Sequence, residues 1–243
     1  MSPPPFVLVH GAFHSGAVWE KVAALLRSRG HPVVIIDLPG RPANPLPVEQ
    51  VTLQAHRNCV LAALDAIPRP VVLVGHSFGG ITISAVAEEA PEKIKTLIYV
   101  AAYLPQSGQS ARKLSMDDSA SRWSDTNFVI APDARTATVL PDECVMLFGE
   151  DLSPEDRQRL PSLLVPEPLL PVRTPVILKP DRFGRADKVY IRTLRDNAIS
   201  PALQNAMLER TPVRAALTID TSHSPYLSQP EALTERLLTA AAP

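Results

Sequence analysis

The chain reads as an α/β protein: a mostly parallel, doubly wound sheet of about six strands carrying an inserted, mainly helical cap. Three observations predict this. Six short apolar runs are β-branched and continuous rather than alternating, the pattern of strands buried on both faces of a parallel sheet. Amphipathic helical patterns lie between them, so strand and helix alternate. One block, residues 105–180, interrupts that alternation and holds 10 of the chain's 26 prolines.

The elements follow in order. The first strand is FVLVH at 6–10. Val18, Val22, Leu25 and Leu26 then fall on one helical face, with Gly30 placed as a C-terminal cap. VVIID at 33–37 is the second strand, and Leu53, Val60, Leu64 and Ile67 mark the next helix. VVLVG at 71–75 leads into a helix over 78–89 that stops before Pro91, and TLIYVA at 96–101 is the fourth strand. Within the proline-dense block, residues 154–160 read as a short helix and PVILK at 175–179 as a short strand. KVYIRT at 188–193 and RAALTI at 214–219 resume the sheet. Ser228 and Glu231 have capping-box spacing before a last helix with Leu233, Leu237 and Leu238 on one face. The expected division is a core of residues 1–104 and 181–243 with a cap of residues 105–180, joined by right-handed crossovers.

Composition excludes several classes. The 243 residues are 45% hydrophobic and 20% charged, as in a globular domain rather than a disordered chain. A net charge of −1 lacks the basic excess of a nucleic-acid or anionic-membrane binder. Two cysteines, Cys59 and Cys144, are too few for a disulfide scaffold or a zinc cluster and read as small apolar fillers. No run is long enough to span a bilayer, and the N-terminal stretch from Met1 to Phe6 has no basic segment leading into an apolar one. A cytoplasmic protein is expected.

Ten glycines are scarce beside 26 prolines, and five of them cluster at two loops. Gly75-His76-Ser77-Phe78-Gly79 is G-x-S-x-G placed between an apolar strand and a helix, the setting that lifts a serine hydroxyl clear of a sheet. Ser77 is therefore the expected nucleophile, at a helix N-terminus facing developing negative charge. His76 is expected to be structural. The first loop, His10-Gly11-Ala12-Phe13, offers an amide for an oxyanion, with Ala12 and Phe78 as the two donors.

Such an elbow takes its acid and base in the order Ser, Asp or Glu, His. Of the six histidines, only His223 lies late enough. Asp196, just past the KVYIRT strand at the C-terminal sheet edge, is favoured as the acid, with Asp181 the alternative. Asp187 precedes a strand, and Asp220 is close to His223 on the same segment. Gly11, Phe13, Tyr103, Trp123 and Phe128 are the expected substrate contacts. They predict a mainly apolar pocket without a receptor for an anionic group. The Met116-Asp-Asp118 stretch reads as a solvated loop.

Four stretches carry a family resemblance: the 6–40 segment, GHSFGG, RFGRADKVYIRTLRDNAISP and SHSPYLSQPEAL. They resemble the α/β-hydrolase subgroup of plant methyl-ester esterases and hydroxynitrile lyases, together with bacterial carboxylesterases that include pyrethroid hydrolases. The resemblance implies a six-stranded core, the triad Ser77, Asp196 and His223, and oxyanion amides at Ala12 and Phe78. The plant lyases of this group place a threonine where this chain has Gly11, and a lysine where it has Ser224. Their absence points to a serine carboxylesterase acting on small to medium hydrophobic esters through an acyl-enzyme. The alternatives are a non-turnover ligand receptor, a lactone or C–C bond hydrolase, and a hydroxynitrile lyase. No cofactor, metal, nucleic acid or membrane partner is expected, and the reading admits a homodimer.

Overall fold

The computed structural model describes residues 2–242. The first four strands are β1 (Phe6–Val9), β2 (Val33–Ile36), β3 (Val71–His76) and β4 (Ile94–Val100). Next come β5 (Phe128–Ile130), β6 (Thr136–Val139) and β7 (Glu167–Pro168), and last β8 (Lys188–Thr193) and β9 (Ala215–Ile219). Six of them form one sheet in the order β2-β1-β3-β4-β8-β9, with every pairing parallel. The expected doubly wound sheet is thus observed.

Alternation along each strand sends side chains to two cores. Val7, Val9, Leu73, Leu97 and Tyr99 face one side, where α2 (Leu53–Asp65), α3 (Gly79–Glu89) and α8 (Pro201–Arg210) contribute Val60, Ile81, Val86 and Met207. Phe6, Leu8, Val72, Val74 and Ile98 face the other, covered by Val22 and Leu26 of α1 (Glu20–Ser28) and Leu233 and Leu237 of α10 (Pro230–Ala241). Both faces being covered explains why these strands are apolar throughout.

Residues 101–187 run between β4 and β8. They carry α4 (Ala111–Met116), α5 (Pro141–Phe148), α6 (Pro154–Arg159) and α7 (Leu169–Arg173), and also a small antiparallel sheet in the order β5-β6-β7. That sheet lies where no strong strand was expected, its strands being only two to four residues long. The segment 175–179 is not a strand. Val176 exchanges backbone hydrogen bonds with the turn at 108–109, and the Leu178 amide donates to Ser107 Oγ, so no ladder forms.

Prolines open five helices at their first turn, where an amide hydrogen has no intrahelical partner. This also explains the absent capping box. Ser228 ends α9 (Pro225–Ser228), Gln229 turns the chain, and Pro230 starts α10 without a side-chain cap.

Candidate active site

Ser77 sits between β3 and α3 with φ +52, a left-handed conformation that costs an L-residue about 1–2 kcal/mol. Its backbone is pinned from three sides. The Ser77 amide donates to Val100 O at 3.3 Å, and its carbonyl accepts from Gly80 N at 3.0 Å and Tyr103 N at 3.1 Å. Glycine is required at position 80, because a Cβ there would lie 2.1 Å from the Tyr103 carbonyl oxygen.

The loop after β9 carries His223, buried beside the elbow, and the loop after β8 carries Asp196. His223 Nδ1 lies 3.0 Å from Asp196 Oδ1 and 2.9 Å from Oδ2. The carboxylate is itself held by the amides of Ala198 and Ile199 at 2.8 and 2.9 Å and by Thr193 Oγ1 at 2.8 Å. Gln204 Nε2, 3.5 Å away, completes its surroundings. His76 Nε2 donates to the His223 carbonyl at 2.8 Å, which fixes the His76 tautomer and ties the His223 loop to β3. Ser77 Oγ and His223 Nε2 have no hydrogen-bond partner among the described residues. The other aspartates are occupied elsewhere: Asp187 accepts from Thr96 Oγ1 and pairs with Arg214, Asp220 pairs with Arg195, and Asp181 is exposed.

Four further histidines surround this group in neutral form. Burial lowers His14 and His56 to about 4 and takes His10 and His76 well below the usual imidazole range. The nearby Arg41 charge adds to this for His10 and His56.

A cavity of about 500 Å³ opens onto Ser77. Ala12, Phe13, Phe78, Tyr103, Trp123 and Phe128 form its apolar wall. The Ala12 and Phe78 amides have no partner among the described residues. Phe13 and Trp123 pack at 5.7 Å between centroids, Trp123 and Phe128 at 6.0 Å, and Phe148 joins them at 5.7 Å from both Trp123 and His223. Gly11 does not line the cavity. It stands behind Ser77, where a Cβ would approach Ser77 Cβ at 2.8 Å and His76 Nδ1 at 2.9 Å. The wall is also less uniformly apolar than expected, since Arg112, Arg173, Asp118, Asp125 and Glu167 reach it.

Three features escaped the sequence reading. Asp118 is not solvated: it is buried and accepts from Ser200 N at 2.8 Å and Ser200 Oγ at 2.5 Å, at the start of α8. Phe148 closes the aromatic cluster from α5. Arg41 and Glu167 form a fully buried ion pair beside the loop after β1. Ser200 before Pro201 was a readable start signal for α8, whereas nothing in sequence spacing joins Arg41 to Glu167.

Residues 6–236 match the family model described as Alpha/beta hydrolase family. The chain is 31% identical to methylesterase 18 of Arabidopsis thaliana, covering 99% of this chain and 98% of that one. It is 30% identical to methylesterase 7 of the same plant, covering 97% and 95%. Among solved structures, tomato methylketone synthase I complexed with 2-tridecanone superposes with a TM-score of 0.89 at 25% identity, over 99% of this chain and 98% of that one. The match runs from the first strand into the last helix, across the elbow and both loops that face it: the chain belongs to the alpha/beta hydrolase family.

Proposed function

We propose that the protein is a serine carboxylesterase acting on small to medium, mainly hydrophobic esters. The observation that carries this reading is His223 Nδ1 held against both oxygens of Asp196, in a site whose serine is forced into a left-handed elbow. Ser77 Oγ attacks the ester carbonyl while His223 Nε2 takes its proton, and Asp196 stabilises the resulting imidazolium. The carbonyl oxygen, now an anion, is bound by the free Ala12 and Phe78 amides. Each such donor contributes about 3–4 kcal/mol to the transition state. Collapse expels the alcohol, which takes the proton from His223. Water deprotonated by His223 then attacks the acyl-enzyme, and the acid leaves with Ser77 restored.

The names of the methylesterase relatives support ester cleavage. So does the surrounding of Ser77. A side chain at Gly11 would collide with Ser77 Cβ, and Ser224, where a lyase of the group would carry a cation, is buried with its hydroxyl turned to Tyr226 Oη. Residues 105–180, read as the cap, supply Trp123 and Phe128 to the cavity wall, with Phe148 packed against Trp123. Replacing Ser77 by Ala tests the reading. Hydrolysis of a short p-nitrophenyl ester and labelling by a fluorophosphonate are both expected to vanish with the fold retained. Wild-type turnover in that variant refutes the mechanism.

A further inference from the structure

Phe13 is the second non-glycine residue of the site with a left-handed backbone, φ +61. Such a conformation persists only where its surroundings over-determine it, and here they do so group by group. The Phe13 amide donates to Glu167 Oε2 at 2.7 Å, and the Phe13 carbonyl accepts from Val165 N at 2.8 Å. The His14 carbonyl accepts from Arg41 Nε at 2.8 Å, and the Ala12 carbonyl accepts from His14 Nδ1 at 2.9 Å. Arg41 and Glu167 are joined by Arg41 Nη2 donating to Glu167 Oε2 at 2.5 Å. The loop is thus clamped from the Ala12 carbonyl through the His14 carbonyl, while the Ala12 amide itself is left free.

The ion pair is a poor device for stability. Both side chains are completely buried, and Arg41 Nη1 and Glu167 Oε1 have no hydrogen-bond partner among the described residues. A desolvated pair with unsatisfied atoms contributes less than well-packed apolar side chains of the same volume. What it does achieve is geometric. Glu167 reaches from β7, in the segment between β4 and β8, and Arg41 from the loop between β2 and α2, so two separate parts of the chain meet on one short loop.

We propose that Arg41 and Glu167 are positioning residues for ester hydrolysis: they hold the left-handed Phe13 and thereby aim the Ala12 amide at the carbonyl oxygen in the transition state. This rests on the serine-esterase reading, in which Ala12 is an oxyanion donor. It goes beyond it by placing control of that donor in a buried ion pair contributed partly by the inserted segment. A loop released from the clamp relaxes toward ordinary φ at Phe13 and swings the neighbouring amide away from the reacting carbonyl. Phe78, Tyr103, Trp123 and Phe128 keep most of the cavity wall in place although Phe13 shifts, so the loss appears mainly in kcat.

The test uses variants that leave no unpaired buried charge. R41M/E167L removes the pair and the acceptor for the Phe13 amide. R41M/E167Q restores a neutral acceptor at the same place. The expected result is a loss in kcat of about tenfold to a hundredfold for R41M/E167L, less than the roughly hundredfold to thousandfold cost of removing one oxyanion donor outright, with KM within about threefold and an equal slowing of fluorophosphonate acylation. R41M/E167Q should recover most of that loss. A folded R41M/E167L that turns over and acylates at wild-type rates overturns the proposal. Amide exchange in the wild-type protein gives an answer independent of variant folding: Phe13 N–H should be protected well beyond Ala12 N–H, and equal exchange also overturns it. Failure of the underlying reading would look different, as an active S77A variant with no fluorophosphonate labelling of the wild type.

Discussion

The neutral histidines make acid sensitivity a quantitative consequence of the fold, and His56 isolates it best. His56 lies on α2, donates Nε2–H to the Pro39 carbonyl at 3.1 Å, and leaves Nδ1 buried without a partner. Desolvation, helped by the Arg41 charge, lowers its pKa from the ordinary 6.5 to about 4. The unfolded chain therefore binds a proton at this residue between pH 6.5 and 4 while the native state does not, and stability must fall as pH falls through that window. With pKa values of 6.5 and about 4, the loss between pH 8 and pH 5 is about 2 kcal/mol for this one group.

Replacing His56 by Gln keeps a donor for Pro39 O and removes the titration. Whatever the substitution costs at pH 8, the variant should lose about 2 kcal/mol less than wild type on going to pH 5. In urea, at a slope of about 2–3 kcal/mol/M, that is a relative midpoint shift of about 0.7–1 M. Because carboxylates titrate equally in both proteins, including Glu167, whose burial pushes its carboxyl up, they cancel from the comparison. Parallel losses in the two proteins, with a difference under about 0.5 kcal/mol, would refute the assignment of a neutral His56.

Two further substitutions probe the elbow and the acid. Gly80→Ala drives a methyl to 2.1 Å from the Tyr103 carbonyl, whose own amide holds Ser77. A loss of about 2–4 kcal/mol in urea unfolding and a lower kcat are expected, and an unchanged midpoint would mean that the close approach is not real. In Asp196→Asn, the amides of Ala198 and Ile199 retain the side-chain oxygen, so the new NH2 group faces His223 Nδ1 and forces the wrong tautomer. kcat should drop by about 10⁴ with the fold intact, as judged by the thermal melt, and a drop under tenfold would remove Asp196 from the proposed mechanism.

What was legible in the sequence was what depends on local pattern. The β-branched runs forecast the central sheet because strands covered on both faces must be apolar throughout, and 188–193 is reproduced residue for residue. The elbow was readable because glycine and serine types are dictated by close backbone approach. What stayed hidden depends on distant partners. Asp118 reads as solvated until α8 brings Ser200 to it, and the alternation in Thr136–Val139 is too brief to distinguish from a loop until β5 and β7 flank it. Arg41 and Glu167 are 126 positions apart, and each alone has the signature of a surface residue.

In the proposed mechanism one of the six histidines is the base, and the surroundings of the others explain why they are silent. Burial disfavours the imidazolium form at His10, His14, His56 and His76 around the elbow, so proximity to Ser77 is not enough to make a base. Their partners differ. His10, His14, His56 and His76 each place a ring N–H on a backbone carbonyl, which orients the ring but supplies no counter-charge. His223 alone faces a carboxylate, and that carboxylate is fixed by two backbone amides and a hydroxyl. A proton arriving at His223 is therefore compensated where it lands. In the proposed mechanism the positive charge then formed at His223 raises the cost of protonating His14 and His76 beside it, and so the proton removed from the serine has one place to go.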